Sequence, residues 1–165
     1  MHRVVGRDTF RGVMSAFPTG VAVLTARGVD DTLFGMTVNS LTSVSLEPLQ
    51  ILVCLNQACD SHDIVLSSGA FAVSLLPASA EGLSVQFAKR EMTGRFDGVR
   101  WRAEATGSPV LDEALAWLDC RVAAVHAAGD HSIVIGRVEA CGSTAGEPLV
   151  FHRGSYTRIA ELSTR

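Results

Sequence analysis

Lysine occurs once in these 165 residues, at Lys89, against thirteen arginines, and the formal net charge is −3. A basic face broad enough to draw in a phosphate backbone cannot be assembled from this balance, so nucleic acid is excluded as a partner. No apolar run approaches the roughly 20 residues of a membrane span. The opening Met1-His2-Arg3-Val4-Val5-Gly6-Arg7-Asp8 lacks the apolar centre of a signal peptide. The expected setting is the cytoplasm, with no membrane partner. The four cysteines, Cys54, Cys59, Cys120 and Cys141, have neither C-x-x-C spacing nor the paired spacing of a zinc site, and no metal is expected. Cys59, beside Asp60 in a turn-like segment, is the accessible one; the other three read as small hydrophobes.

Several chemical signatures are missing as well. No G-x-G-x-x-G follows a strand and no G-x-x-x-x-G-K-[ST] exists, which removes both standard nucleotide cradles. The G-x-S-x-G elbow of serine hydrolases is absent, since Gly142-Ser143-Thr144-Ala145-Gly146 has Thr at its centre. His62 stands between Asp60 and Asp63 only as i, i+1 and i, i+2 neighbours, which do not face one another on a helix, so the trio reads as a helix start.

What the chain has in quantity is apolar residue, 47% of the total with 6% aromatic. That is enough for one well-packed domain over residues 1–165, with apolar surface to spare for a dimer interface. Phe10, Val13, Met14 and Phe17 follow the i, i+3, i+4, i+7 stripe of an amphipathic helix over 8–17, with Asp8 as its cap and Pro18 and Gly20 beyond its end. Residues 21–26 read as a buried strand and 33–39 as its hairpin partner. The near-continuous apolar run 50–56 reads as a central strand. A short helix over 61–68 ends at Gly69, a strand follows over 70–75, and a further helix spans 79–88. Two long strands, 118–127 and 132–141, meet at a hairpin with Gly129 in the turn, and 149–152 and 155–159 make a last short pair. Seven or eight strands with hairpin connections and two or three helices predict an antiparallel barrel with helical additions, not a Rossmann sheet.

Three places carry chemistry. In 35–48 a segment that alternates like a strand is loaded with uncharged hydroxyl and amide groups, with Thr37 and Asn39 on one parity and Met36 and Val38 on the other. Such a face either covers the wet side of a strand or hydrogen-bonds a polar, planar or phosphorylated molecule. Residues 89–96 hold the one dense group of cations, which reads as a solvated loop or as a clamp for a phosphate or carboxylate. His131 sits at a hairpin corner beside Asp130, where an imidazole is solvated or reaches a ligand across the barrel mouth. Tyr156, the single tyrosine, joins an apolar body to a hydroxyl in the last strand.

Taken in order, Gly35-Met36-Thr37-Val38-Asn39-Ser40, then Thr42-Ser43-Val44-Ser45-Leu46-Glu47-Pro48, then Phe87-Ala88, then Gly129-Asp130-His131-Ser132-Ile133-Val134-Ile135-Gly136-Arg137-Val138, then Pro148-Leu149-Val150-Phe151-His152-Arg153-Gly154-Ser155-Tyr156 resemble the successive motifs of one family. It is the flavin reductase-like, FMN-binding split-barrel family, in its short-chain members that serve two-component monooxygenases. The likeness covers about residues 8–159, and five motifs in order make it far more specific than any one alone.

The resemblance implies a mainly β (α+β) fold, an antiparallel split β-barrel with a few flanking helices, assembled as a homodimer. It implies FMN or FAD as flavin, NADH or NADPH as hydride donor, and a partner monooxygenase that receives reduced flavin. Carried over, Thr37, Val38, Asn39 and Ser40 line the isoalloxazine and ribityl chain. Ser43 and the loop from Asn56 to Ser61 hold the ring edge and tail, and Phe87, Ala88 and Lys89 approach the ribityl phosphate. His131 and Tyr156 contact the nicotinamide nucleotide; His131 is the catalytic candidate, a positioning group first and a proton donor second. Val44, Leu46 and Pro48 support the strand behind. The 89–95 loop departs most from a fixed pattern. The same fold also accommodates a fixed FMN that reduces another acceptor, such as a metal complex or corrinoid, or a flavin-binding module without turnover.

Overall fold

Short connections between alternating apolar segments produce three antiparallel sheets and three helices, described here for residues 4–160 in a computed structural model. Residues 1–3 and 161–165, the ends of the expected domain, lie outside the described residues. The order is α1 (Arg7–Ser15), β1 (Thr19–Gly20), β2 (Ala22–Arg27), β3 (Leu33–Val38), β4 (Thr42–Leu46), β5 (Leu49–Asn56), α2 (Asp60–Ser68), β6 (Ala70–Leu75) and α3 (Glu81–Ala88). Then come β7 (Trp101–Ala103), β8 (Pro109–Leu111), β9 (Ala116–Ala128), β10 (His131–Ser143), β11 (Val150–His152) and β12 (Ser155–Thr157). No helix among the described residues is long and apolar enough to cross a membrane.

The main sheet has seven strands in the order β3-β2-β6-β9-β10-β5-β4. β3 and β4 are consecutive in the chain yet occupy opposite edges of this sheet. Laid flat, seven strands hold their outer edges about 29 Å apart at ~4.8 Å per step. The three linking residues 39–41 reach only about 14 Å. The sheet therefore curls until its edges approach, giving a barrel closed along one side by a covalent tether instead of a full ladder. Ser40, in that tether, closes the seam chemically: its hydroxyl donates to Cys54 O (3.2 Å) and accepts from Cys54 N–H (3.0 Å) on β5.

Packing explains why the apolar run 21–26 has no polar alternation. Ala22, Leu24 and Ala26 face one core with Val53, Leu55, Val65, Phe71, Val73, Cys120 and Val134, while Val21 and Val23 face a second with Leu76, Phe87, Leu111 and Leu149. From Ala22 to Ala26 β2 is buried on both sides, so each of these residues is apolar or, as with Thr25, hydrogen-bonded to main-chain oxygen. The small sheet β1-β11-β12 and the β7-β8 hairpin cap the second core. Gly136 lies where β9 and β10 shift register, and a Cβ there would meet Phe71 Cζ at 2.5 Å and Cys120 Cβ at 3.0 Å. Close backbone approach, not turn geometry, is what requires glycine at this point.

Several expectations are corrected. Helix α1 begins at Arg7 with extended Gly6 as N-cap and no side-chain cap bond; Asp8 lies inside the first turn, where it opposes the positive end of the dipole instead of capping it. The helix ends at Ser15 because the N–H groups of Ala16 and Phe17 reach back only three residues, to Val13 and Met14 oxygens. β3 stops at Val38, so Asn39 belongs to the tether and does not share a strand face with Thr37. Val44 and Leu46 are 45% and 79% exposed on the edge strand β4 and belong to neither core. The run over 49–56 is next to that edge and alternates in burial, with Ile51, Val53 and Leu55 inward, so it is not a strand buried on both faces. β1, β7 and β8 are only two or three residues long, too short for periodicity to reveal. Cys141 is exposed, unlike buried Cys120 and half-buried Cys54. Asp63 does meet its neighbour His62, Oδ1 to Nδ1 at 2.9 Å, while the other ring nitrogen lies 3.0 Å from Ser132 Oγ.

Replacing Ser40 by Ala removes both seam bonds and leaves the Cys54 main chain unsatisfied on that side. The expected loss is about 1–2 kcal/mol of unfolding free energy, read as a lower midpoint at unchanged m in urea titration. An unchanged midpoint would mean that water replaces the hydroxyl without loss.

Candidate functional site

Three cavities share walls, two of them at the seam. The widest, about 760 Å³, runs between the tether and α1 and includes Met14, Phe17, Thr19, Asn39, Ser40 and Cys54. The middle one, about 240 Å³, shares Val21, Val38 and Asn39 with it and adds Thr37, Ser84, Phe151 and Tyr156. The third, about 380 Å³, shares Thr37 and Ala88 with the middle one and extends to Ala58, Cys59, Ser61, Lys89 and Arg90. Joined through these shared walls they form a groove that is uncharged at one end and lined by charged residues at the other.

Polar groups in this groove are held by the fold. Thr37 Oγ1 donates to Ser84 O at 2.6 Å, and Ser84 Oγ pairs with Tyr156 Oη at 2.8 Å, so β3, α3 and β12 are locked around the middle cavity. Tyr156 also packs edge-on to Phe151, ring centroids 5.4 Å apart. Ser84 shares the inner face of α3 with Phe87, three residues on, and both are fully buried. Phe87 in turn sits against Gly35, where a Cβ would meet its ring at 2.5 Å, and edge-on to Phe96. Among the described residues, two buried side-chain oxygens lack any hydrogen-bond partner: Thr19 Oγ1 and Ser61 Oγ. Each lines an outer cavity of the groove, one at either end. Buried hydroxyls without partners are uncommon, and their place here is that expected of groups whose partner is a ligand.

The third cavity is the charged one. Ser61 lies in the first turn of α2, where the His62 N–H turns back to Cys59 O at 2.9 Å while the Asp60 and Ser61 N–H groups have no main-chain acceptor, and Lys89 and Arg90 line the same cavity from the end of α3. Arg95 contributes charge but its guanidinium is already committed, donating to Gly35 O at 2.5 Å, to Glu91 O at 3.1 Å and to Lys89 O. Burial holds its pKa below the usual arginine value, and the nearby Cys59 sulfur works in the opposite direction. Asp60, in the same cavity, is the opposing charge. Lys89, Arg90 and Arg95 together outnumber it, and an orphaned hydroxyl with helix N–H donors and cations is the donor set that fits a phosphate. These residues fit the tail of a flavin nucleotide, and the uncharged middle and wide cavities fit its ribityl chain and ring.

Of the residues singled out from sequence, Thr37, Val38, Asn39, Ser40, Ser61, Phe87, Ala88, Lys89 and Tyr156 line this groove. Ser43, Asn56 and His131 do not. Ser43 is exposed on β4, and Asn56 Oδ1 accepts from Ala58 N–H at 2.8 Å, shaping the loop that carries Cys59. His131 stands at the β9-β10 corner with Nδ1 2.7 Å from Asp130 Oδ1, which holds the Asp130 carboxyl below its ordinary pKa. The corner is nevertheless tied to the groove. Gln57 N–H donates to Asp130 O at 3.1 Å and Gln57 Nε2 to His131 O at 3.0 Å, so the loop 57–59 and the histidine corner are bonded to one another. Sequence reasoning missed Thr19, Ser84 and Phe151. Ser84 had a readable signal, a hydroxyl on the inner face of an otherwise apolar helix; Thr19, in a two-residue strand, had none.

Comparison with known proteins agrees with this geometry. A family model described as flavin reductase like domain matches residues 14–160. Over 159 residues the chain is 38% identical to the flavin-dependent monooxygenase reductase subunit HsaB of Mycobacterium tuberculosis, covering 94% of this chain and 84% of that one. It is 42% identical over 159 residues to a flavin reductase (NADH) of Kitasatospora aureofaciens, covering 94% and 83%. Among solved structures, an NADH:FAD oxidoreductase of Streptomyces globisporus in complex with NAD and FAD fragments superposes with a TM-score of 0.90 at 34% identity, covering 99% of this chain and 100% of that one. With a family model spanning nearly the whole chain and relatives matched almost end to end, this protein belongs to the flavin reductase family.

Proposed function

We propose that this chain is an NAD(P)H:flavin oxidoreductase that takes hydride from a nicotinamide nucleotide, passes it to FMN or FAD, and releases reduced flavin to a partner monooxygenase in the cytoplasm. The observation that carries this reading is the continuous groove with an orphaned hydroxyl at each end and cations at one of them. The relatives named as monooxygenase reductase subunits support the partner. When bound, the flavin supplies a ring that accepts hydride, so the protein needs no nucleophile of its own.

The chain's residues then bind and orient. Ser61, the first turn of α2, Lys89 and Arg90 hold the phosphate. Thr37 and Asn39 offer hydrogen bonds along the ribityl chain, and Thr19, Val38 and the tether residues 39 and 40 border the ring. The Thr37, Ser84 and Tyr156 chain keeps the middle wall from collapsing into the groove. His131, outside the groove but bonded to its loop through Gln57, is assigned to positioning the nicotinamide nucleotide, with Asp130 on Nδ1 orienting the ring. Hydride transfer then depends on the distance and stacking of the two rings, which these contacts set.

A homodimer completes the assembly. Phe10, Val13, Met14 and Phe17 of the α1 stripe are 59%, 67%, 49% and 65% exposed, and α1 buries no residue within the chain. An amphipathic helix gains little from its apolar face until something covers it. Met14 and Phe17 also border the widest cavity, so a second copy seated on α1 would wall the ring end of the groove.

Four outcomes are expected. NAD(P)H oxidation by the purified chain requires added flavin and saturates with it, and Lys89→Ala weakens FMN binding about tenfold or more while changing riboflavin, which has no phosphate, much less. Failure of free flavin to act as a substrate would rule out the reductase reading. His131→Ala raises KM for the nicotinamide nucleotide about tenfold with flavin affinity nearly unchanged; equal loss of both would contradict a positioning role on the nucleotide. Phe10→Glu reduces the mass found by light scattering from twice 17.5 kDa to 17.5 kDa, whereas a wild-type monomer would refute the dimer.

A further inference from the structure

Cys59 is the N-cap of α2 and is exposed, in a chain whose Cys120 is fully buried and pushed up to about 12 by that burial. It lines the third cavity together with Ser61, Lys89 and Arg90. Its side chain makes no cap hydrogen bond, so nothing within the chain occupies the sulfur. Two residues along, the buried and unpartnered Ser61 hydroxyl marks the same cavity as a ligand site. Cys141, also exposed, lines none of the three cavities.

We propose that Cys59 is a thiol modification site whose oxidation or alkylation closes the phosphate end of the flavin groove; this rests on the reading of that cavity as the phosphate site. The modifying reagent is a hydroperoxide or a soft electrophile. With hydrogen peroxide, the Cys59 thiolate attacks one oxygen, an S–O bond forms as the O–O bond breaks, sulfur gives up two electrons, and the departing hydroxide takes a proton to leave water. The oxidant is available where the enzyme works, because reduced flavin that meets dioxygen instead of a partner yields oxidised flavin and hydrogen peroxide. The added oxygen sits among the α2 N–H groups, Lys89 and Arg90, and takes the donors a phosphate would use. Escape of reduced flavin thereby lowers the affinity for more flavin, and thiol reductants restore it.

The experiment follows labelling and binding separately on the full-length chain. N-ethylmaleimide labelling is read by peptide mass spectrometry at Cys59 and Cys141 with FMN, with riboflavin and with neither. At FMN ten times its Kd, competition slows Cys59 labelling about tenfold, from the factor 1 + [L]/Kd, with riboflavin at equal saturation protecting less and Cys141 unaffected. Hydrogen peroxide raises the FMN Kd about tenfold by titration, dithiothreitol reverses it, and Cys59→Ser treated in the same way keeps the Kd it had before treatment. Cys59 labelling that is indifferent to FMN, or an unchanged Kd after peroxide, overturns the proposal. Lys89→Ala separates the two levels. If it weakens FMN binding while Cys59 is indifferent to FMN, the thiol site alone fails; if it leaves FMN binding intact and riboflavin protects Cys59 as well as FMN does, the phosphate reading fails with it.

Discussion

The structure depends on a length constraint: three residues, 39–41, connect strands that lie at opposite edges of a seven-stranded sheet. A tether of about 14 Å cannot span a flat sheet of that width, so the sheet curls and its edges face one another across a seam. The two bonds of Ser40 to the Cys54 main chain give that seam its register. Because the tether replaces a ladder, a gap remains beside it, and the wide and middle cavities occupy that gap. The segment that closes the barrel is the segment that borders the ligand groove, so stability and binding draw on the same few residues.

Charge is distributed along the groove by what each residue is already doing. Arg95 is spent on main-chain oxygens of Gly35, Lys89 and Glu91, which fixes the end of α3 against β3 and leaves Lys89 and Arg90 as the cations free to meet a tail. The middle section has no charged side chain; its hydroxyls are engaged within the chain, Thr37 Oγ1 on the Ser84 main-chain oxygen and Ser84 Oγ with Tyr156 Oη. A ligand that is neutral along its length and anionic at one end matches this gradient, and hydride chemistry on a bound ring asks for nothing more from the protein than position and exclusion of alternatives. The same arrangement puts the exposed thiol of Cys59 where any modification is felt by the tail.

Much of this was legible. The period of α1, the αL glycine Gly69 at φ 66 ending α2, and the long β9-β10 hairpin turning at Gly129 with φ 65 all follow from local chemistry, and the structure has each of them. The order of five motifs carried the family, which the comparisons bear out. Short strands were not legible, because two or three residues carry no period. Nor was the end of β3 at Val38, since Asn39 continues the alternation in sequence and leaves the ladder only because the chain must cross the seam. Val44 and Leu46 misled for a related reason: on an edge strand, apolar residues face outward toward whatever covers that edge.

By itself, then, the sequence determined the elements with a strong period, the uncharged character of the 35–46 segment, the single cation-rich stretch and the family. Those are properties of neighbours in the chain, set by side-chain size, polarity and backbone preference. Only the tertiary structure decided which hydroxyls are satisfied and which are orphaned, that Arg95 is structural while Lys89 is available, that His131 stands outside the groove but bonded to its loop, and that Cys59 shares a cavity with Ser61. Each of these depends on distances between residues far apart in sequence, fixed once the tether draws the two edges of the sheet together.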